Sequence, residues 1–261
     1  MISQNRLHER GLTIAMCLGF FLLTSFRMVK AQMLTVDEII QKNIAARGGA
    51  EKWAKVKTFT MEGIYVSFSD PEPFKIWRQR PALYRFDSKR IGQIVIHGYD
   101  GEKVWWINPL MGPPHDKPQP IPSEGNLDKV TLRERFFEPV LWNYREKSHR
   151  VELEGKEELD GKDSYKLKVT LADSTVEFWY IDTELFLENG MTGVTYDFGL
   201  KNDLEMFFGN YADVQGLKFP FLIESEYGQR YRSYEIGKIE INTEIAPSVF
   251  MMPDSATWKG Q

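Results

Sequence analysis

The feature that most constrains this chain is a long run of short β segments separated by tight turns. Between residues 164 and 171, Tyr165, Leu167, Val169 and Leu171 alternate with Ser164, Lys166, Lys168 and Thr170. Alternation with a period of two puts one set on a buried face and the other in water. Segments 58–68, 73–80, 83–88, 91–97 and 103–108 have the same β-rich texture, and 150–157, 164–171, 176–180, 204–211, 217–227 and 231–241 resume it. Asp100-Gly101 and Asp160-Gly161 sit where a two-residue hairpin turn is wanted. Links this short predict a largely antiparallel meander of about ten or eleven strands.

Helices frame this run. Thr35 followed three residues later by Glu38 forms a capping box, and Val36, Ile39, Ile40 and Ile44 fall at helical spacing. Gly48-Gly49 ends that helix, and residues 50–55 add one more turn. Residues 109–126 hold six of the 13 prolines, which excludes a central strand or helix interior. Residues 127–144 read as a helix with a broad apolar face, kinked or split in two at Pro139.

The first 31 residues read as a cleaved secretory signal, with an uncleaved N-terminal anchor as the alternative. Arg6 and Arg10 precede a 15-residue apolar run from Leu12 to Phe26, and Val29 and Ala31 supply small residues for cleavage. The run is short for a membrane helix of ~20 residues. Cys17 follows Met16 rather than a small residue, a poor context for a lipid acceptor. Removal of this segment takes four basic residues and one acidic residue, leaving 29 basic and 36 acidic residues, a net charge of −7. The remaining residues 32–261 read as a single domain without cysteine or an Asn-x-Ser/Thr site, which suits a bacterial periplasm. The acidic balance argues against nucleic acid as a partner.

Catalytic signatures are missing from the sequence. His97, His115 and His149 are scattered, and no P-loop, GxGxxG or Gly-x-Ser-x-Gly occurs. Neither a metal nor a cofactor is expected. A pair of carboxylates acting as acid and base leaves no signature and stays open as an enzyme alternative.

Several pieces set in order resemble a known family. They are Thr35-Val36-Asp37-Glu38-Ile39-Ile40 with Gly48-Gly49, Tyr99-Asp100-Gly101 with Trp105, Gly161-Lys162-Asp163-Ser164-Tyr165, and Asp182-Thr183. Asn210-Tyr211-Ala212-Asp213-Val214 before Gly216-Leu217-Lys218-Phe219-Pro220 completes the set. Together they resemble the periplasmic outer-membrane lipoprotein-sorting proteins of the LolA/LolB-like superfamily. The resemblance implies a half-open antiparallel β-barrel, lidded by helices, whose apolar hollow binds lipid chains. It further implies a monomeric carrier of lipids or lipoproteins exchanging cargo with inner- and outer-membrane transport proteins. The competing expectation is an envelope-assembly factor of the same fold with a filled core.

A hollow sheet must be filled by side chains, helices or a ligand. Tyr65, Phe68, Trp77, Tyr84, Phe86, Trp105, Phe178, Tyr180, Phe207 and Phe219 are the aromatic candidates for its lining. Trp105 and Trp106 are adjacent on one strand and therefore face opposite sides, so at least one is expected outside the deepest core. The 127–144 helix and the 109–126 loop are expected to form the lid.

Overall fold

A computed structural model describes residues 34–67, 70–90, 92–108, 119–123, 125–197 and 200–258. The expected capping box opens α1 (Val36–Ala46): Thr35 Oγ1 accepts from the Glu38 amide, and the Glu38 carboxylate accepts from the Thr35 amide at 2.7 Å. Gly48 and Gly49 follow with φ of 109° and 95°. A side chain at Gly48 would collide with the Gly216 carbonyl, so glycine lets the chain turn tightly into α2 (Ala50–Lys55).

The strands of the first half are β1 (Thr58–Val66), β2 (Pro71–Gln79), β3 (Leu83–Arg90), β4 (Gln93–Tyr99), β5 (Val104–Ile107) and β6 (Ile121–Pro122). Helix α3 (Asn126–Glu134) separates them from β7 (Arg150–Leu159), β8 (Lys162–Thr170), β9 (Val176–Asp182), β10 (Glu188–Asp197) and β11 (Leu200–Gly209). The chain ends through β12 (Ala212–Val214), β13 (Leu217–Phe219), β14 (Leu222–Tyr227) and β15 (Arg230–Ile241). Thirteen strands form one sheet in the order β6-β5-β4-β3-β2-β1-β15-β14-β11-β10-β9-β8-β7, while β12 and β13 pair separately. The pairs are antiparallel. The terminal strands β6 and β7 do not meet, so the sheet is a half-open barrel.

The fifteen strands among the described residues exceed the ten or eleven read from the sequence. Part of the excess is β10, whose sequence ENGMTGVTYD has little β character. Its glycines answer to packing: a Cβ on Gly190 would strike the Met206 carbonyl and the Leu159 side chain. The 217–227 segment divides into β13 and β14 around Pro220, which has no amide hydrogen for a ladder.

Two expectations about the middle of the chain need correction. The helix expected over 127–144 stops at Glu134, and residues 140–148 form turns. Pro139 disfavours helix at the residue before it. The turns also let Trp142 enter one core while Leu141 and Tyr144 enter another, which one straight helix could not do. The proline-rich stretch is not wholly without a ladder, because Ile121 and Pro122 pair with Trp106 and Trp105. Residues 109–118 lie outside the described ones.

Trp105 and Trp106 do face opposite sides, yet both are buried. The C-terminal segment covers Trp105: its indole donates to the Phe250 carbonyl at 2.9 Å, and Trp258 packs beside Ile96 and Ile107. Trp106 lies edge-on to His97 on the other face.

Candidate functional site

Cross-strand partners share a face, so the register assigns every side chain to one side of the sheet. Val151, Tyr165, Leu167, Val169 and Ile181 pack against Ile39 and Ile40 of α1, which marks their side as the inner face. Following the pairings across the sheet puts Trp179, Met191, Leu204, Met206, Phe208, Ile223, Tyr227, Tyr234, Tyr65, Phe74, Phe86 and Tyr84 on the same face.

Helices fill this face unevenly. α1 covers β7 to β9. Trp53 of α2 meets Phe219 edge-to-face at 5.2 Å and joins the core formed with Phe59 and Leu217. A buried ion pair ties this end together, with Arg47 donating to Glu188 at 2.7 Å. Burial pulls the Arg47 pKa down, but Glu188 and Tyr211 outweigh it and hold the guanidinium above its usual range.

α3 crosses the inner face and is held largely by polar contacts. Arg133 pairs with Glu177, a buried carboxylate of β9, and donates to the Val194 carbonyl at 2.9 Å. Tyr84 donates to the Glu134 carboxylate at 2.6 Å, and Arg78 donates to the Glu134 carbonyl at 2.7 Å. Burial, and then the adjacent Glu134, push the Tyr84 phenol well above its ordinary range, so it stays a donor. The Arg135 guanidinium lies over Tyr99, 5.5 Å from the ring centre.

Between α3 and the helices at the base, part of the inner face stays accessible. Trp179, Met206, Phe208, Ile223 and Tyr234 are each only partly buried, although all face inward. Trp179 and Phe208 stack with centroids 5.8 Å apart, and the Trp179 indole donates to Glu177 at 2.8 Å. The same carboxylate therefore orients this wall and holds Arg133 of the helix above it. The result is a partly accessible, largely apolar stretch of the inner face beside α3, packed on Met191, Leu204 and Tyr227. Among the described residues no group of three or more His, Cys, Asp or Glu could hold a metal ion.

The nine aromatic candidates among the described residues are divided between the two faces and the base core. Tyr65, Tyr84 and Phe86 face inward but are buried, and Tyr65 and Phe86 meet edge-on at 5.7 Å. Phe219 belongs to the base core around Trp53 and Phe59. Trp77, Trp105, Phe178, Tyr180 and Phe207 are on the outer face by register. Lys166 lies over both Phe178 and Tyr180 there, at 5.0 and 5.5 Å. Phe68 lies outside the described residues. The recess residues missing from that set had a signal in the alternation of Leu204, Met206 and Phe208. It was masked by Phe207, an apolar residue of opposite parity.

These features define a class of protein: a half-open antiparallel β-barrel with helices plugging one end and a further helix lying across the hollow. The particular architecture is the LolA-like fold. The chain is similar to a LolA superfamily protein from Nitrosomonas europaea, with TM-score 0.50 and 14% identity over 84% of this chain and 98% of that one. A DUF1329 family protein from Desulfovibrio piger aligns with TM-score 0.53 and 12% identity, over the same shares of the two chains. No protein-family model matches the sequence, and no curated protein does.

Proposed function

We propose that the protein is a carrier that holds lipid acyl chains in the recess beneath α3. The observation that carries this reading is the incomplete filling of the inner face: Trp179, Met206, Phe208 and Ile223 keep accessible surface although Trp179 borders the α1 core and Ile223 the α2 core. Apolar surface left in water is unfavourable by about 25 cal/mol per Å², so a chain that covers it gains that amount. The LolA-like fold supports the same reading. Helix α3 serves as the lid, held across the face by discrete polar tethers at Arg133 and Glu134.

In this account the first 31 residues direct export and are removed, and the rest works in the periplasm as a monomer. It receives lipid or lipoprotein cargo from one envelope membrane component and delivers it to another. No helix among the described residues is long and apolar enough to cross a membrane. The role is binding rather than catalysis.

Displacement of a fluorescent long-chain fatty acid from the purified protein tests the reading. Saturable binding that is lost on Met206→Glu, with the fold retained, is the expected result. A wild-type protein that binds no such probe contradicts it.

A further inference from the structure

The polarity of the inner face changes along the strands in a consistent direction. β15 starts and β14 ends at the rim that carries their shared turn. From that rim, the inward residues of β15 run Arg230, Arg232, Tyr234, then Ile236, Ile239 and Ile241 at the base. Those of β14 run Tyr227, Ser225, Ile223, and those of β11 run Asn202, Leu204, Met206, Phe208. Those of β1 run Tyr65, Gly63, Met61, Phe59. Along β15 and β14 hydrogen-bonding groups therefore lie toward the rim and apolar groups succeed them toward the helices, while Leu204 and Met206 of β11 stand level with Arg230 and Arg232.

Arg232 is at the centre of the polar zone. Its guanidinium lies 4.5 Å from the Tyr227 ring centre, and its register partner Ser225 is buried. Burial lowers its pKa, but Tyr65, Tyr227, Tyr234 and Glu134 around it raise it above the ordinary arginine value. The cation is thus held charged within reach of several phenols. Tyr65 and Tyr234 pack with ring centres 4.7 Å apart on the same patch. Arg230 is level with Leu204 and Arg232 with Met206 across the register, so the wall runs about 13 Å from Arg230 to Phe208 and a long chain continues past it.

We infer that the ligand of the recess is an acidic amphiphile, a long chain ending in a carboxylate or a phosphate monoester, bound with its headgroup at Arg230 and Arg232. The chain runs from there past Met206 and Ile223 toward Phe208. Arginine suits this task because its planar fork matches carboxylate and phosphate oxygens, and the Tyr65 and Tyr227 hydroxyls can donate to the same anion. This inference rests on the carrier reading and narrows its cargo: a neutral ester or glyceride gains nothing from the rim.

Binding of palmitate, lysophosphatidic acid and methyl palmitate to the mature protein, measured by displacement of one fluorescent probe, tests it. The two acids are expected to bind at least tenfold more tightly than the ester. Arg232→Gln and Arg230→Gln should bring the acids to the level of the ester and leave the ester unchanged. Acetate or inorganic phosphate alone should not displace the probe. Equal affinity of acid and ester overturns the inference and leaves the carrier reading intact. Failure of all three lipids to bind overturns the carrier reading itself. Displacement by acetate or phosphate alone assigns the arginines to a free anion and also overturns it. If the glutamine variants do not fold, the wild-type ratio of acid to ester decides the matter without them.

Discussion

Arg47 and Glu188 meet at 2.7 Å with side chains only 8% and 2% accessible. The pair ties the end of α1 to the start of β10, and Tyr211 donates to the backbone carbonyl of the same glutamate at 2.9 Å. Trp53 closes the cluster by donating to the Arg47 carbonyl at 3.2 Å. Removing one partner leaves the other as a buried, uncompensated charge. Arg47→Ala or Glu188→Ala is therefore expected to destabilise by about 3–5 kcal/mol, while replacing both with apolar residues costs less than the sum. Urea unfolding of the two single variants and the double variant measures this; strictly additive losses contradict it.

Register distinguishes the two faces of β9 and β11 by substitution. Phe178 lies outside beneath Lys166, and Phe207 pairs with Gly190 and Glu224 on the same outer side. Phe178→Glu gains a cation neighbour and is expected to change stability by less than about 1 kcal/mol, with lipid binding intact. Met206→Glu or Phe208→Glu puts a carboxylate on the inner wall and abolishes binding. Loss of binding in Phe178→Glu together with retention in Met206→Glu reverses the assignment of faces.

The antiparallel class and the α1 capping box were legible because each is written in local residues: alternation at 164–171, Asp-Gly turns, and Thr35 with Glu38. The recess was not legible, because facing inward is a property of parity counted along the whole sheet. The bulges at Glu62/Gly63 and Glu188/Gly190 shift that count without any sequence mark. An aromatic residue such as Phe207 satisfies the alternation of either face. β10 was invisible because its glycines are selected by close approach of neighbours. The end of α3 depended on two separate cores competing for Leu141 and Trp142.

The tethers of α3 predict how the lid moves. Tyr84→Phe removes the donor to Glu134 and is expected to cost about 1–2 kcal/mol locally. Amide exchange should speed up across Asn126–Glu134 while β1 and β15 stay protected. Equal acceleration in lid and sheet contradicts a separately hinged helix.

Stability should depend on pH through His149. Burial, and then the nearby Lys147, lower its pKa from the usual 6.5. The folded protein therefore binds this proton less readily than the unfolded chain. The associated stability is present above pH 6.5 and is lost as pH falls from there toward the folded pKa. His149→Asn should flatten the pH dependence of unfolding below about pH 6.5. An unchanged slope in the variant contradicts the assignment.

The most direct test of the central claim is photo-crosslinking with a palmitate that carries a diazirine at the end of its chain, followed by peptide mapping. Saturable adducts on the inner residues Trp179, Met206, Phe208 and Ile223, suppressed by excess palmitate, are the expected result. Adducts confined to outer residues such as Phe178 and Phe207, or no saturable adduct at all, would contradict it.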